Sequence, residues 1–243
     1  MIPSTITKIS NGVFKGCNIK KLYAEENSLI KTIDKGMFEG LNSLEFIIPE
    51  SVTTIKSSSF KGLHSIKHVT LPPNLQIIEN NLFDDCKSLT EIIIPSSVTV
   101  IKSRAFYGCC MLQNVKFEEP SSVKTIDEFA FAECKSLKEF YIPSSVSYIQ
   151  SYIFNNCENL DRILFDENSQ IAFINFLMFG QVSNLKEIVL PQKINSIKNI
   201  SFSHLKALKK IKLPSNIKIV GEGTFKNCIS LSEISIPSSV VSI

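Results

Sequence analysis

The stretch IPSSVTVIKSRAFYGC, residues 94–109, decides the fold of this chain because the chain repeats it. A near copy, IPSSVSYIQSYIFNNC, occupies residues 142–157, and a shortened one, IPSSVVSI, occupies residues 236–243. Alone, its Ser, Arg, Tyr and Cys could suggest a nucleophile site. A motif that recurs within one chain more simply indicates architecture, so the period must be established first.

The repeat has a usual period of 23 residues, measured between successive prolines, and it fills the chain. Asn27 and Asn168 stand where two repeats lack the proline. Ten full repeats and a truncated eleventh therefore cover residues 1–243 and predict a single repeat domain. A fixed apolar frame in a short recurring unit is typical of a solenoid, in which each unit buries its face against its neighbours. One phenylalanine recurs in every full repeat: Phe14, Phe38, Phe60, Phe83, Phe106, Phe131, Phe154, Phe179, Phe202 and Phe225.

Each repeat contains one strand and one turn. In LTEIIIP, residues 89–95, the alternation predicts a strand with Ile92 and Ile94 inward and Glu91 and Ile93 outward, and Pro95 ends it because proline has no amide hydrogen. The spacing of three between Phe106, Cys109 and Leu112 predicts a 3₁₀ or single helical turn. We therefore expect one parallel sheet of about ten short strands, with helical turns and loops on the other side.

The frame I-P-x-x-[VL]-x-x-I-x-x-x-[AS]-F-x-x-C-x-x-[LI]-x-x-[IV]-x-[IL] resembles the BspA-like class of leucine-rich repeats. The resemblance covers essentially the whole chain, although the FEEP and FDEN junctions after residues 116 and 164 carry extra residues. It implies a strand-rich leucine-rich-repeat solenoid of the α/β horseshoe type. Members occur in bacterial and protist surface proteins and are often linked to adhesion.

The function that the resemblance implies is a non-catalytic module that binds a host or cell-surface protein. Cell-surface or secreted placement follows from the family. The alternative is an intracellular scaffold or regulator of an enzyme or signalling partner, and a cytoplasmic place stays open because no signal peptide is visible in the sequence. We expect no enzyme activity and no cofactor.

Seven cysteines raise the alternatives of a disulfide, a metal site or a nucleophile. Disulfides between stacked neighbours stay open, because strand spacing is near the upper limit for a bridge. Cys110 lies out of register and is the most accessible thiol by sequence, but no base accompanies it. Six cysteines share a column that other repeats fill with Leu or Val, which predicts buried thiols that act as small apolar residues: Cys17, Cys86, Cys109, Cys134, Cys157 and Cys228.

No other constellation predicts catalysis or metal binding. His64 and His68 are four residues apart but fall in a turn and on a strand, so they do not share the helix face that a zinc pair needs. The net charge of +3 is too small to indicate nucleic acid. No apolar run is long enough for membrane insertion.

The predicted binding face consists of the two outward positions of each strand, because residues that vary between repeats can carry specificity. The second position is apolar in several middle repeats, beside charged residues at the first. Such a patch is typical of a protein-binding surface, and the alternative is that β-branched and aromatic residues simply suit strands. The candidate residues are Glu91, Ile93, Lys116, Glu139, Tyr141, Arg162, Leu164, Glu187 and Val189.

Neither end of the chain carries a polar capping repeat. Solenoids normally need such caps for solubility. The sequence is therefore interpreted as a fragment of a longer repeat protein that is monomeric, with end-to-end association between chains as the alternative.

Overall fold

The protein is described by a computed structural model that covers residues 1–243 except Lys15 and Ser43. The described residues form nineteen short strands and no helix. In chain order the strands are β1 Lys8–Ile9, β2 Lys21–Leu22, β3 Thr32–Ile33, β4 Glu45–Phe46, β5 Thr54–Ile55, β6 Ile77–Ile78, β7 Glu91–Ile94, β8 Val100–Ile101, β9 Asn114–Phe117, β10 Thr125–Ile126, β11 Glu139–Ile142, β12 Tyr148–Ile149, β13 Arg162–Phe165, β14 Phe173–Ile174, β15 Glu187–Ile188, β16 Ser196–Ile197, β17 Lys210–Lys212, β18 Ile219–Val220 and β19 Glu233–Ser235.

Nine of the ten full repeats end in a strand, and these strands form short parallel ladders along one side, which we call the strand face: β2, β4, β7, β9, β11, β13, β15, β17 and β19. Pairing is parallel wherever it occurs, as between β7 and β9 and between β11 and β13. These ladders confirm the predicted leucine-rich-repeat solenoid and its parallel strand direction. In β7 and β11 the inward residues are buried and the outward ones partly or fully exposed, as the alternation predicts.

A second parallel ladder, which the sequence analysis does not predict, runs along another side of the solenoid. It contains β1, β3 and β5, then β6, β8, β10 and β12, then β14, β16 and β18. Its strands are only two residues long, such as Val100–Ile101. Ile101 pairs in register with Ile78 and Ile126 and is fully buried. The aliphatic column recognised in the repeat therefore forms a strand as well as a core.

The predicted 3₁₀ or helical turns are not confirmed, because the described residues form no helix, and backbone geometry gives the reason. Arg104 and Gly108 have φ values of 56° and 70°, which break a helical run every four residues. The Phe106 amide between them donates across to Ala130 of the next repeat at 2.8 Å, and the Gly108 amide donates to Ala132 at 2.9 Å. Single turn bonds remain, such as that from the Cys109 amide to the Phe106 carbonyl oxygen at 3.3 Å, but they alternate with bonds between repeats and form no continuous helical run.

The core is a stack of phenylalanine rings that runs along the solenoid. The ring of Phe106 lies 5.4 Å from that of Phe83 and 5.2 Å from that of Phe131, nearly parallel to both. All three are fully buried. Rings stack from Phe14 to Phe154 and again from Phe179 to Phe225, and this packing helps to hold the strands of both ladders in register.

Candidate protein-binding face

The strand face brings the nine predicted residues into two outward columns. Register pairs Glu91 with Asn114 and Ile93 with Lys116 across β7 and β9. It pairs Glu139 with Arg162 and Tyr141 with Leu164 across β11 and β13. Glu187 follows Arg162 on β15, and Val189 bridges to Lys212. The first column is therefore charged and the second largely apolar.

The apolar column is open to solvent. Ile93 is 48% exposed, Tyr141 36%, Leu164 41% and Val189 71%. Lys116 interrupts the column between Ile93 and Tyr141. The inward neighbours Ile92, Phe140 and Ile188 on the same strands are buried. The exposed apolar area is thus displayed on a rigid, well-packed layer.

The charged column is partly neutralised by pairs between adjacent repeats. Arg162 Nη2 lies 2.8 Å from Glu139 Oε2, and His68 Nδ1 lies 3.4 Å from Glu91 Oε1. These side chains are well exposed, so each pair contributes little to folding, about 0–1 kcal/mol. Their main effect is to fix the positions of these polar side chains beside the apolar column.

Tyr141 is hydrogen-bonded to a carboxylate that the sequence predicts only as a solvated loop charge. Its hydroxyl donates a hydrogen bond to Asp166 Oδ2 at 2.5 Å. This bond, with partial burial, raises the pKa of Tyr141 to about 12, and the bond from Tyr141 lowers the pKa of Asp166. Asp166 belongs to the FDEN junction, whose extra residues are the signal that could have marked it.

Three depressions lie along the strand face. The largest, about 540 Å³, lies between β9 and β11, and we call it the notch. It is lined by residues 113–117 and by Glu119, Lys138, Glu139, Tyr141 and Arg162. Depressions of about 400 and 240 Å³ follow near β17 and near β13. The face is therefore uneven.

The cysteine column is buried in five of its six members, as the repeat predicts. Each buried thiol also donates to a phenylalanine carbonyl oxygen of the preceding repeat, as Cys109 does to Phe83 at 3.2 Å and Cys134 to Phe106 at 3.3 Å. Burial raises the pKa of Cys86 to about 12 and that of Cys109 well above its usual value. These cysteines are weak donors as well as apolar residues.

The prediction that Cys110 is the most accessible thiol is wrong. Cys17 is exposed, whereas Cys110 is half-buried with its thiol 3.3 Å from the Gly108 carbonyl oxygen. The sequence could not show this because Cys17 shares the column of the buried thiols.

The histidines lie apart in the structure. His64 Nε2 lies 3.2 Å from Asp85 Oδ2, whereas His68 pairs with Glu91. Within the described part of the chain, no group of three or more His, Cys, Asp or Glu side chains could hold a metal ion. Nor do the described residues include a helix long and apolar enough to cross a membrane.

Comparison with known proteins decides the family. The family model described as BspA type Leucine rich repeat region matches residues 1–113, 76–177 and 172–243. The chain belongs to the BspA-type leucine-rich repeat family. BspA-type repeats have the architecture of a protein-interaction module, and such modules are typically non-catalytic. No curated protein sequence matches the chain.

Solved structures share the BspA-type fold. A leucine-rich repeat protein from Bacteroides ovatus is 24% identical, with a TM-score of 0.74 over 100% of this chain and 73% of that one. The pneumococcal vaccine antigen PcpA is 23% identical, with a TM-score of 0.61 over 91% of this chain and 55% of that one. The T. pallidum leucine-rich repeat protein is 24% identical, with a TM-score of 0.57 over 85% of this chain and 81% of that one. At these identities the likeness concerns the fold alone.

Proposed function

We propose that this chain is a non-catalytic binding module of a cell-surface or secreted adhesion protein, and that it binds a protein through the strand face. The observation that carries the proposal is the exposed apolar column of Ile93, Tyr141, Leu164 and Val189 beside a charged column. Apolar side chains gain free energy when a partner covers them, and flanking charges orient that partner.

The rigidity of the face supports this role. A partner loses less free energy on binding when the surface it meets is already ordered. Tyr141 is held by Asp166, and the strands beneath are packed on the phenylalanine stack. Tyrosine is also among the residues that dominate measured binding energies at interfaces.

The test uses two double variants with matched chemistry. Tyr141→Ala with Leu164→Asp alters the strand face, and Tyr148→Ala with Ile219→Asp makes the same changes on the second ladder, where exposure is similar at 40% and 49%. Peptides are selected from a random phage-displayed library on the immobilised wild-type chain, and their affinities are measured for all three proteins.

We expect the strand-face variant to lose about thirtyfold or more in affinity, because a hot-spot truncation costs about 2 kcal/mol. The second-ladder variant should retain wild-type affinity. Circular dichroism and thermal unfolding check that both variants stay folded. Equal affinity of the folded strand-face variant and the wild type would show that the peptides bind elsewhere.

An intracellular scaffold is the second candidate, and the buried thiols favour it. Cys86, Cys109, Cys134 and Cys157 lie in consecutive repeats, each with a hydrogen-bonded thiol. Free thiols persist most readily in a reducing compartment. Imaging of the tagged full-length gene product in its own cells separates the candidates, because an adhesin should be labelled on intact cells and a scaffold only after permeabilisation.

A further inference from the structure

The notch between β9 and β11 is a break in the strand face. Residues 114–117 pair with β7, and residues 139–142 pair with β13. No backbone hydrogen bond joins β9 to β11, both of which lie wholly within the described residues. The backbone edges of two adjacent repeats are therefore unpaired there.

A local length difference accompanies the break. Pro95 and Pro120 are 25 residues apart instead of 23, and the extra residues directly follow β9. A second repeat of 25 residues runs from Pro143 to Asn168. Beside that repeat, β13 pairs with β15 through only Arg162 and Ile163. A two-residue insertion thus lies beside each of these two places.

The break exposes apolar atoms at positions that β7 and β11 bury. Val115 and Phe117 are the inward residues of β9, yet both are half-buried. The equivalent Ile92 and Ile94 of β7 are 1% exposed. Both Val115 and Phe117 line the notch. An apolar side chain of a partner can therefore contact residues beneath the sheet surface at this point.

The glutamates around the notch have polar partners, whereas two lysines form no ion pair with the described residues. Glu139 is paired with Arg162, and Glu119 accepts a hydrogen bond from the Ser121 amide at 3.1 Å. Lys116 and Lys138 are exposed, and neither forms an ion pair with any described residue. Two ammonium groups line an open depression with an apolar floor, each free to pair with an incoming carboxylate.

We infer that the notch is the specificity pocket of the strand face and receives an acidic side chain, with an adjacent apolar residue, from the protein partner. This inference rests on the proposed function. The carboxylate pairs with Lys116 and Lys138, and the apolar neighbour packs on Val115 and Phe117. A protein carboxylate fits better than a nucleic acid because Glu119 and Glu139 also line the notch and repel a continuous polyanion.

The experiment analyses the peptides selected from the random phage library on the wild-type chain. We expect enrichment of Asp or Glu next to an apolar residue. A synthetic copy of the most enriched peptide should bind the double variant Lys116→Glu, Lys138→Glu about tenfold or more weakly, because a close charge pair contributes about 1.5 kcal/mol or more.

The chain supplies a matched control. Lys124 and Lys218 directly precede β10 and β18 of the second ladder, and both are exposed. Lys124→Glu with Lys218→Glu makes the same charge change off the strand face and should retain wild-type affinity. Thermal unfolding verifies that both lysine variants are folded.

The outcomes separate the inference from the proposed function. If Tyr141→Ala with Leu164→Asp abolishes binding while the notch lysine reversal does not, the strand face binds protein but the inference is wrong. If neither variant affects binding, both are wrong. A library that yields no binder or no acidic enrichment overturns the inference. The inference is also wrong if a single-stranded oligonucleotide displaces the peptide from the wild-type chain and requires both Lys116 and Lys138 for its own binding.

Discussion

The Tyr141 hydroxyl donates to Asp166 Oδ2 at 2.5 Å, which connects β11 to the junction that follows β13 in the next repeat. The bond crosses between adjacent repeats and fixes the largest side chain of the apolar column. Asp166 belongs to the FDEN junction with its extra residues, so this hydrogen bond is specific to one repeat. Because this hydrogen bond raises the pKa of Tyr141, a titration can test the geometry of the proposed binding face.

Ionisation of Tyr141 should be delayed to about pH 12. The hydrogen bond to Asp166 and partial burial disfavour the tyrosinate, so the stability that they give is complete below the ordinary tyrosine pKa and is lost as pH rises through the raised one. The pKa of Asp166 is lowered, so the stability that its carboxylate contributes is lost as pH falls through that lowered pKa. The ultraviolet titration curve of Tyr141→Phe, subtracted from that of the wild type, isolates the ionisation of Tyr141.

The control for that titration is Asp166→Asn, which removes the charge and retains the shape. Its Tyr141 titration should shift to lower pH, because the hydrogen bond to Asp166 is the largest cause of the raised pKa. An unchanged midpoint in Asp166→Asn would contradict the assignment.

The position of a phenylalanine in the stack should determine the cost of removing it. Phe106 is fully buried between two rings, so Phe106→Ala should lower the free energy of unfolding by about 3–5 kcal/mol. Phe225 is half-buried, with its ring 5.8 Å from Phe202, so Phe225→Ala should cost about half as much. Urea denaturation followed by circular dichroism measures both. Equal losses would mean that the stack does not carry the core as argued.

Two glycines should differ in how well they tolerate a side chain. Gly108 has φ +70°, with the nearest atom to a built Cβ at 3.4 Å, and other repeats place Asn156 and Asn227 at its position with positive φ. Gly108→Asn should therefore cost about 1 kcal/mol or less. At Gly221 a Cβ would lie 2.5 Å from the Asn199 backbone nitrogen, so Gly221→Ala should cost about 1–3 kcal/mol.

Thermal unfolding of both glycine variants measures these costs. The repeat supplies the control, since Asn227→Gly reverses the Gly108 change in another repeat and should also be nearly neutral. A larger loss for Gly108→Asn than for Gly221→Ala would show that the repeats are not equivalent in backbone conformation.

Repetition made much of the fold predictable. Phe106, Ile92 and Ile94 could be placed inward because the same chemistry recurs at the same offsets, and averaging over repeats removes the ambiguity of a single stretch. The outward columns followed from the same register. The strand pairs Ile93 with Lys116 and Tyr141 with Leu164 are those that the repeat alignment predicts.

The features missed depend on backbone torsions and insertions. A spacing of three at Phe106, Cys109 and Leu112 suits a helical turn equally well, and nothing about Arg104 indicates a φ of 56°, since large residues rarely adopt it. Val100 and Ile101 were too short a run to indicate a strand by alternation. The notch and the Tyr141 to Asp166 bond arise at insertions, where repeat averaging gives no information.

The thiols should react in an order set by burial. Cys17 is exposed, so iodoacetamide should modify it first in the native chain. Cys110 is half-buried and should react more slowly. The five buried thiols should react only when the chain unfolds, because burial hides them and raises their pKa, to about 12 for Cys86. Mass spectrometry of timed samples identifies each modified residue.

Cys17→Ser should remove the fast adduct and leave the slow ones unchanged. Labelling in guanidinium should reach all seven cysteines. Modification of Cys109 or Cys134 at the rate of Cys17 in the native chain would contradict their place in the core. It would also remove the reason to associate the buried thiols with a reducing compartment, because thiols that open so readily could equally form disulfides.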